Sequence, residues 1–190
     1  MTKSTKVDDV NSFEDTLSRV LNLLDSDEQQ FIYLTGAAGT GKTTLIEKVL
    51  EENNLKKIVV APTGVAALNI GGSTINSAFR IGFDTFPVIQ ESNDPRFKKL
   101  LKKLELLIID EISMVRAPML DAISETLKLY RNNDEPFGGV HVLACGDLFQ
   151  LPPVVKDNEV NAIDEALKAS SKEMALLVIS FNPFAICKEL

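Results

Sequence analysis

The sequence predicts an α/β domain, a mostly parallel sheet flanked by helices. Two observations carry this reading. The apolar runs "FIYLT", "KIVVAP", "LLIIDE" and "VHVLACGD" do not alternate with polar residues, and segments of helical spacing separate them. Strands buried on both faces read this way, and their parallel pairing needs a helical crossover. The residues suited to chemistry also follow the carboxyl ends of these runs, where open parallel sheets hold ligands.

The elements follow in order. Residues 1–12 are polar and are expected to be a flexible N-terminus. Over 13–25, Phe13, Leu17, Val20, Leu21 and Leu24 recur at helical spacing. A strand is expected over 31–35, then a glycine loop, then a helix to about Glu52. A strand over 57–62 is stopped by Pro62, and "GVAALNIG" reads as a short helix. From Gly71 to Asp94 no period is visible, and the stretch reads as a functional loop. A helix is expected over 95–105, with Leu100, Leu101 and Leu104 toward the core and its cations outward. Strand 106–111, helix 118–133 with Pro118 in its first turn, strand 140–147 and a last strand over 174–180 complete the pattern.

The 190 residues are 45% hydrophobic, enough for one domain with a substantial core, placed at 13–190. No run approaches the ~18 apolar residues that read as a bilayer-spanning helix, so no membrane partner is expected. The first residues lack the apolar core of a secretory signal. Cys145 and Cys187 lie in apolar surroundings and read as reduced core residues of an intracellular protein. The expected location is the cytoplasm (nucleoid) if the source is bacterial, and the nucleus or mitochondria if it is eukaryotic. A lone His141 gives no zinc site. The net charge of −7 weighs against binding nucleic acid over the whole surface but leaves room for a local groove of amides, hydroxyls and a few cations.

Gly36-Ala37-Ala38-Gly39-Thr40-Gly41-Lys42-Thr43, followed by Thr44, matches the phosphate-loop pattern between a strand and a helix. Its glycines let successive N–H groups point inward as an anion nest, and the helix dipole adds to it. Lys42 is placed for the β- and γ-phosphates and Thr43 for Mg²⁺. Asp110-Glu111 end the hydrophobic strand "LLIIDE". Asp110 suits Mg²⁺ binding and Glu111 suits activation of a water. In "CGDLFQLPPV", Asp147 and Gln150 lie three apart, and Gln150 suits a contact to the γ-phosphate. Phe79 and Phe83 are open to two readings, core packing or a face for base stacking. So is "RFKKLLKK", a solvated face or a nucleic-acid patch.

"GAAGTGKTTLI", "APTGVAALNIGGSTINSAF", "LLIIDEISMV", "PFGGV" and "GDLFQLPPV" together resemble the first motor domain of the PIF family of superfamily-one DNA helicases, over roughly residues 30–155. The resemblance implies a RecA-like P-loop NTPase fold, ATP and Mg²⁺ as cofactors, and ATP-driven 5′-to-3′ movement on DNA in replication, repair, recombination and telomere maintenance. It implies catalytic roles for Lys42, Asp110, Glu111 and Gln150. It implies contacts to single-stranded DNA by Pro62, Thr63, Gly64, Gly72, Ser73, Thr74, Asn76 and Ser77. The chain departs from the family at Asn76, where a histidine is usual, and at Glu14, where a base-reading glutamine is usual. The family also has a second RecA-like domain, for which the residues after Gln150 leave no room. The chain is therefore expected to be a monomeric first domain that binds nucleotide weakly, hydrolyses ATP slowly if at all, and unwinds nothing. The competing readings are an oligomeric ATPase of the loader or initiator class and a nucleotide-binding module without turnover.

Overall fold

A computed structural model describes residues 13–36, 39–84 and 87–147. Ala37, Ala38, Gln150, Cys187 and the strand expected at 174–180 lie outside the described residues.

Among the described residues five strands form one all-parallel sheet, ordered β1-β5-β4-β2-β3. They are β1 (Phe31–Thr35), β2 (Lys57–Ala61), β3 (Ser73–Thr74), β4 (Leu106–Ile109) and β5 (His141–Gly146). The helices are α1 (Phe13–Leu24), α2 (Lys42–Glu52), α3 (Gly64–Asn69), α4 (Ile75–Phe79), α5 (Pro95–Lys103) and α6 (Ala117–Arg131). Among the described residues no helix is long and apolar enough to cross a membrane.

β4 shows why the sheet needs two helical layers. Leu107 and Ile109 enter the core beneath α4, α5 and α6, while Leu106 and Ile108 enter the core beneath α1 and α2. All four are fully buried, each stabilising the fold by roughly 1.5–3 kcal/mol. A strand with a polar face would forfeit one of the layers.

The stretch expected to be a loop, Gly71 to Asp94, contains β3 and α4. Thr74 Oγ1 accepts from the Ser77 N–H at 3.2 Å and caps α4. Ile75 and Phe79, four apart, bury the helix. Two strand residues and five helical ones are too few to print a period. Phe79 is thus core, whereas Phe83 is exposed. The connection onward is tied by Arg80, which donates to Ser92 Oγ and Asp94 Oδ2, both at 2.6 Å, and lies 4.4 Å over the Phe97 ring. The inward face of α5 also differs from expectation. Phe97, Leu101 and Leu104 are buried and Leu100 is half exposed, because the spacing 97, 101, 104 keeps one stripe on the core. The cations at 98, 99, 102 and 103 do lie off that stripe.

The "PFGGV" block is scaffold. Gln29 Nε2 donates to the Pro136 and Val140 carbonyls at 2.6 and 2.8 Å. Arg131 donates to the carbonyls of Gly138 at 2.7 Å and Leu104 at 2.6 Å. These bonds close the lower end of the sheet, opposite the rim where the site lies.

Candidate functional site

Parallel register places the carboxyl ends of the strands on one rim. Thr35 pairs with Gly146, Ile109 with Ala144, Val60 with Ile109, and Ala61 with Thr74. Gly36, Asp147, Asp110, Pro62 and Ile75 therefore leave the sheet side by side.

The loop after β1 runs into α2. Gly39 and Gly41 take φ of 77° and 91°, values that side chains rarely tolerate. The N-terminus of α2 has no side-chain cap, so its first N–H groups are left for an anion. Lys42 Nζ reaches back across the loop and donates to the Gly36 carbonyl at 2.6 Å. Thr43 and Thr44 are exposed in the first turn. The Phe13 ring lies against Gly41, at 3.8 Å from where a Cβ would stand. The start of α1 thus borders the loop, with Glu14 exposed beside it. Gln29 and Gln30 spend their amides on the scaffold instead.

The second element is the turn after β4. The Asp110 N–H still bonds the Val60 carbonyl at 2.9 Å, extending the ladder by one residue. Glu111 then turns the chain in the left-handed region, at φ 51° and ψ 43°. A 3-10 turn over Ile112–Met114 follows. Burial pushes the Asp110 carboxyl above its ordinary pKa, against the pull of a backbone hydrogen bond and of Lys42. Burial also raises Glu111, as do Asp110 and Asp147, with Lys42 opposing. One cation and three carboxyl groups therefore share this rim. Asp147 is buried. Asp147, three residues before Gln150 in the sequence, also belongs to the acidic cluster. Its place at the end of a buried strand was the available signal. Beneath the cluster, the Cys145 thiol is fully buried and burial raises its pKa well above the ordinary value, which leaves it inert.

The donor set suits a small hard cation held partly by phosphates. Among the described residues no group of three or more His, Cys, Asp or Glu is placed to hold a metal alone. Mg²⁺ takes one or two protein oxygens and completes its shell with phosphate and water, and the Thr43 hydroxyl with the Asp110 carboxylate fits that demand.

The third element is the rim after β2 and β3. Thr63 Oγ1 accepts from the Ala66 N–H at 3.2 Å and caps α3. Gly64, Ser73 and Ser77 are exposed, and Pro62, Thr63 and Thr74 are partly so. Two of the residues singled out in the sequence have work inside the fold. A Cβ on Gly72 would come within 2.5 Å of the Val59 carbonyl oxygen. The Asn76 side chain donates to the Ile81 and Gly82 carbonyls at 3.0 and 2.9 Å. Between α3 and the 3-10 turn lies a cleft of about 240 Å³, lined by Thr63, Ala66 and Asn69 on one side and by Glu111, Ser113 and Met114 on the other. No sequence signal announced it, because its walls are about 45 residues apart in the chain.

A profile of the PIF1-like helicase family matches residues 11–182. The ATP-dependent DNA helicase PIF1 of Candida albicans is 35% identical over 177 residues, which cover 81% of this chain and 19% of that protein. The crystal structure of Pif1 from a Bacteroides species in complex with ADP-AlF4 is similar at 43% identity and a TM-score of 0.73, covering 83% of this chain and 37% of that one. That of Bacteroides Pif1 bound to ssDNA is similar at 40% identity and a TM-score of 0.72, covering 84% and 37%. The chain spans about a fifth of the length of the curated relatives it matches.

Proposed function

The chain belongs to the PIF1-like helicase family, and from that membership we propose that it is the N-terminal ATPase domain of an ATP-dependent DNA helicase that moves 5′ to 3′ on a single strand. One observation carries the reading. An uncapped helix N-terminus with Lys42 at its mouth stands in electrostatic reach of the Asp110–Glu111 turn, on the same rim as the exposed residues around α3. A phosphate binder that did no hydrolysis would use Asp110 for the metal but would have no use for a second carboxylate, Glu111, placed to activate a water.

Each residue has a role that its surroundings support. The α2 N–H groups and the loop amides cradle the phosphates of ATP. Lys42 exchanges the Gly36 carbonyl for a phosphate oxygen. Thr43 and Asp110 hold Mg²⁺, which when bound neutralises charge on the phosphates. Glu111 orients a water and takes its proton. Its raised pKa brings it nearer to the pH at which a general base works. Gln150 lies outside the described residues, and a γ-phosphate contact is proposed for it from the family likeness alone. Gly64, Ser73 and Ser77 offer hydroxyls and backbone amides to strand phosphates, contacts that hold a strand without reading its sequence. The naming of relatives as ATP-dependent DNA helicases, and the Bacteroides Pif1 complexes with ADP-AlF4 and with ssDNA, support this assignment.

The test is nucleotide binding and ATP hydrolysis by this chain, with and without a single-stranded oligonucleotide, beside Lys42→Ala and Glu111→Gln. Lys42→Ala is expected to weaken nucleotide binding, and Glu111→Gln to retain binding and lose turnover. A folded chain without nucleotide affinity overturns the proposal.

A further inference from the structure

The cleft between α3 and the 3-10 turn joins two parts of the site that the sequence keeps apart. Thr63 is among the residues read as strand contacts, Asn69 ends the helix that Thr63 caps, and Glu111 is read as the hydrolytic base. Neither wall is rigid by construction. α3 has six residues. The opposite wall is one left-handed residue followed by a three-residue 3-10 turn, an arrangement sparsely populated by residues other than glycine.

Ser113 stands out within that wall. Its Oγ is buried and makes no hydrogen bond among the described residues. Such orphaned hydroxyls are rare in folded proteins, because burial removes water without supplying a replacement. One side of the same turn abuts Gly146, whose Cβ would stand 3.2 Å from the Ser113 N–H nitrogen. The turn is packed closely against β5 on that side. The cleft borders it as well, and Thr63 and Asn69 in its far wall carry a hydroxyl and an amide. A movement that satisfied Ser113 would carry Glu111, two residues earlier, with it.

We propose that Ser113 is a positioning residue that couples the strand-contacting wall of the cleft to Glu111. In the arrangement described here Ser113 is unsatisfied and Glu111 is held in its left-handed turn. A strand seated on the α3 side closes the cleft, gives Ser113 a partner and resets Glu111 over the phosphate loop. By linkage, nucleotide at the loop must then change strand affinity by the same factor as strand changes nucleotide affinity. The inference rests on the functional reading above for the identities of the two ligands.

The experiment measures affinities rather than turnover. A fluorescent oligothymidylate and a fluorescent non-hydrolysable ATP analogue with Mg²⁺ are titrated onto the whole chain, each alone and each with the other saturating. For the wild type, mutual strengthening of roughly 5-fold or more is expected, the lower end of common allosteric couplings. Ser113→Ala removes an unsatisfied hydroxyl, so the fold should tolerate it. It is expected to keep both single affinities and to cut the coupling to within about 2-fold, and Ser113→Thr to restore it. A merely structural serine would change stability or both affinities and leave their ratio alone. Wild-type coupling in Ser113→Ala overturns the proposal, as does a wild type that binds both ligands independently. Failure of either ligand to bind alone removes the functional reading itself, and the single titrations separate that outcome from the others.

Discussion

Gly146 at the end of β5 packs against Ile112 so closely that a Cβ on the glycine would stand 2.8 Å from Ile112 Cγ2, and 3.2 Å from the backbone nitrogens of Ile112 and Ser113. Its backbone is ordinary extended strand. Glycine is therefore required by space and not by dihedral freedom, and the space belongs to the turn that carries Glu111. Gly146→Ala is expected to cost about 1–3 kcal/mol through overpacking, read by denaturant unfolding. It should also displace Glu111, so hydrolysis falls by more than nucleotide affinity does. Equal losses in both would show that the turn relaxes without moving the carboxylate.

The acidic rim predicts a gain in stability on neutralisation. Burial raises the Asp110 and Glu111 carboxyls above their ordinary values, and the Asp110 charge adds to the rise at Glu111. A carboxyl raised in the folded state binds its proton more readily there than in the unfolded chain. It therefore destabilises the fold at neutral pH, and the cost is relieved as pH falls through the raised value. Asp110→Asn and Glu111→Gln are expected to raise the melting temperature of the nucleotide-free chain at pH 7, on the order of 2 °C each. The advantage should shrink on acidification. A lower melting temperature in both variants at pH 7 would contradict the account.

His141 predicts the opposite slope. Its Nδ1 accepts from the Gln30 N–H at 3.1 Å, which only the neutral ring can do. Burial lowers its pKa, against a smaller pull from Glu105. The unfolded chain takes up the proton first, so stability is full above the ordinary histidine value of about 6.5 and falls as pH drops from there toward the lowered folded value. His141→Gln keeps an acceptor and cannot titrate. Its stability is expected to be flat over that window while that of the wild type declines, a difference that melts at closely spaced pH values will read.

The parts legible in the sequence are those whose signal is local and repeated. β1, β2, β4 and β5 are apolar runs buried on both faces, and their residue types announce that. The loop at Gly36–Thr43 and the pair Asp110–Glu111 follow strands at fixed offsets, so their chemistry could be placed before any fold was seen. β3 and α4 are too short to show a period. Phe97 takes the inner-face place expected of Leu100, and its edge contact with the Tyr130 ring of α6, 5.4 Å between centroids, is with a partner that residue type does not name. The closest approaches were invisible for a stronger reason. Gly146 meets Ile112, and Gln29 meets Pro136 and Val140, across 34 to 111 positions of chain, and residue type alone does not name the partner. Ser113 reads as an ordinary polar residue until the cleft beside it exists.

Asn76 offers the sharpest separation of scaffold from contact. Its amide nitrogen gives one hydrogen to the Ile81 carbonyl and the other to that of Gly82, so both donors are already engaged and the bend after α4 depends on them. Two such bonds together are worth about 1–3 kcal/mol, and Asn76→Ala is expected to lose stability in that range. Strand affinity, measured by anisotropy well below the melting temperature, should then change little. Asn76→His supplies ring donors in the same place. Its protonated form has two and its neutral form one, so it should recover stability better at pH 6 than at pH 8. If instead Asn76→Ala keeps its stability and loses most of its strand affinity, the amide leaves Ile81 and Gly82 to meet the strand. The bend after α4 would then have to be a moving part of the interface.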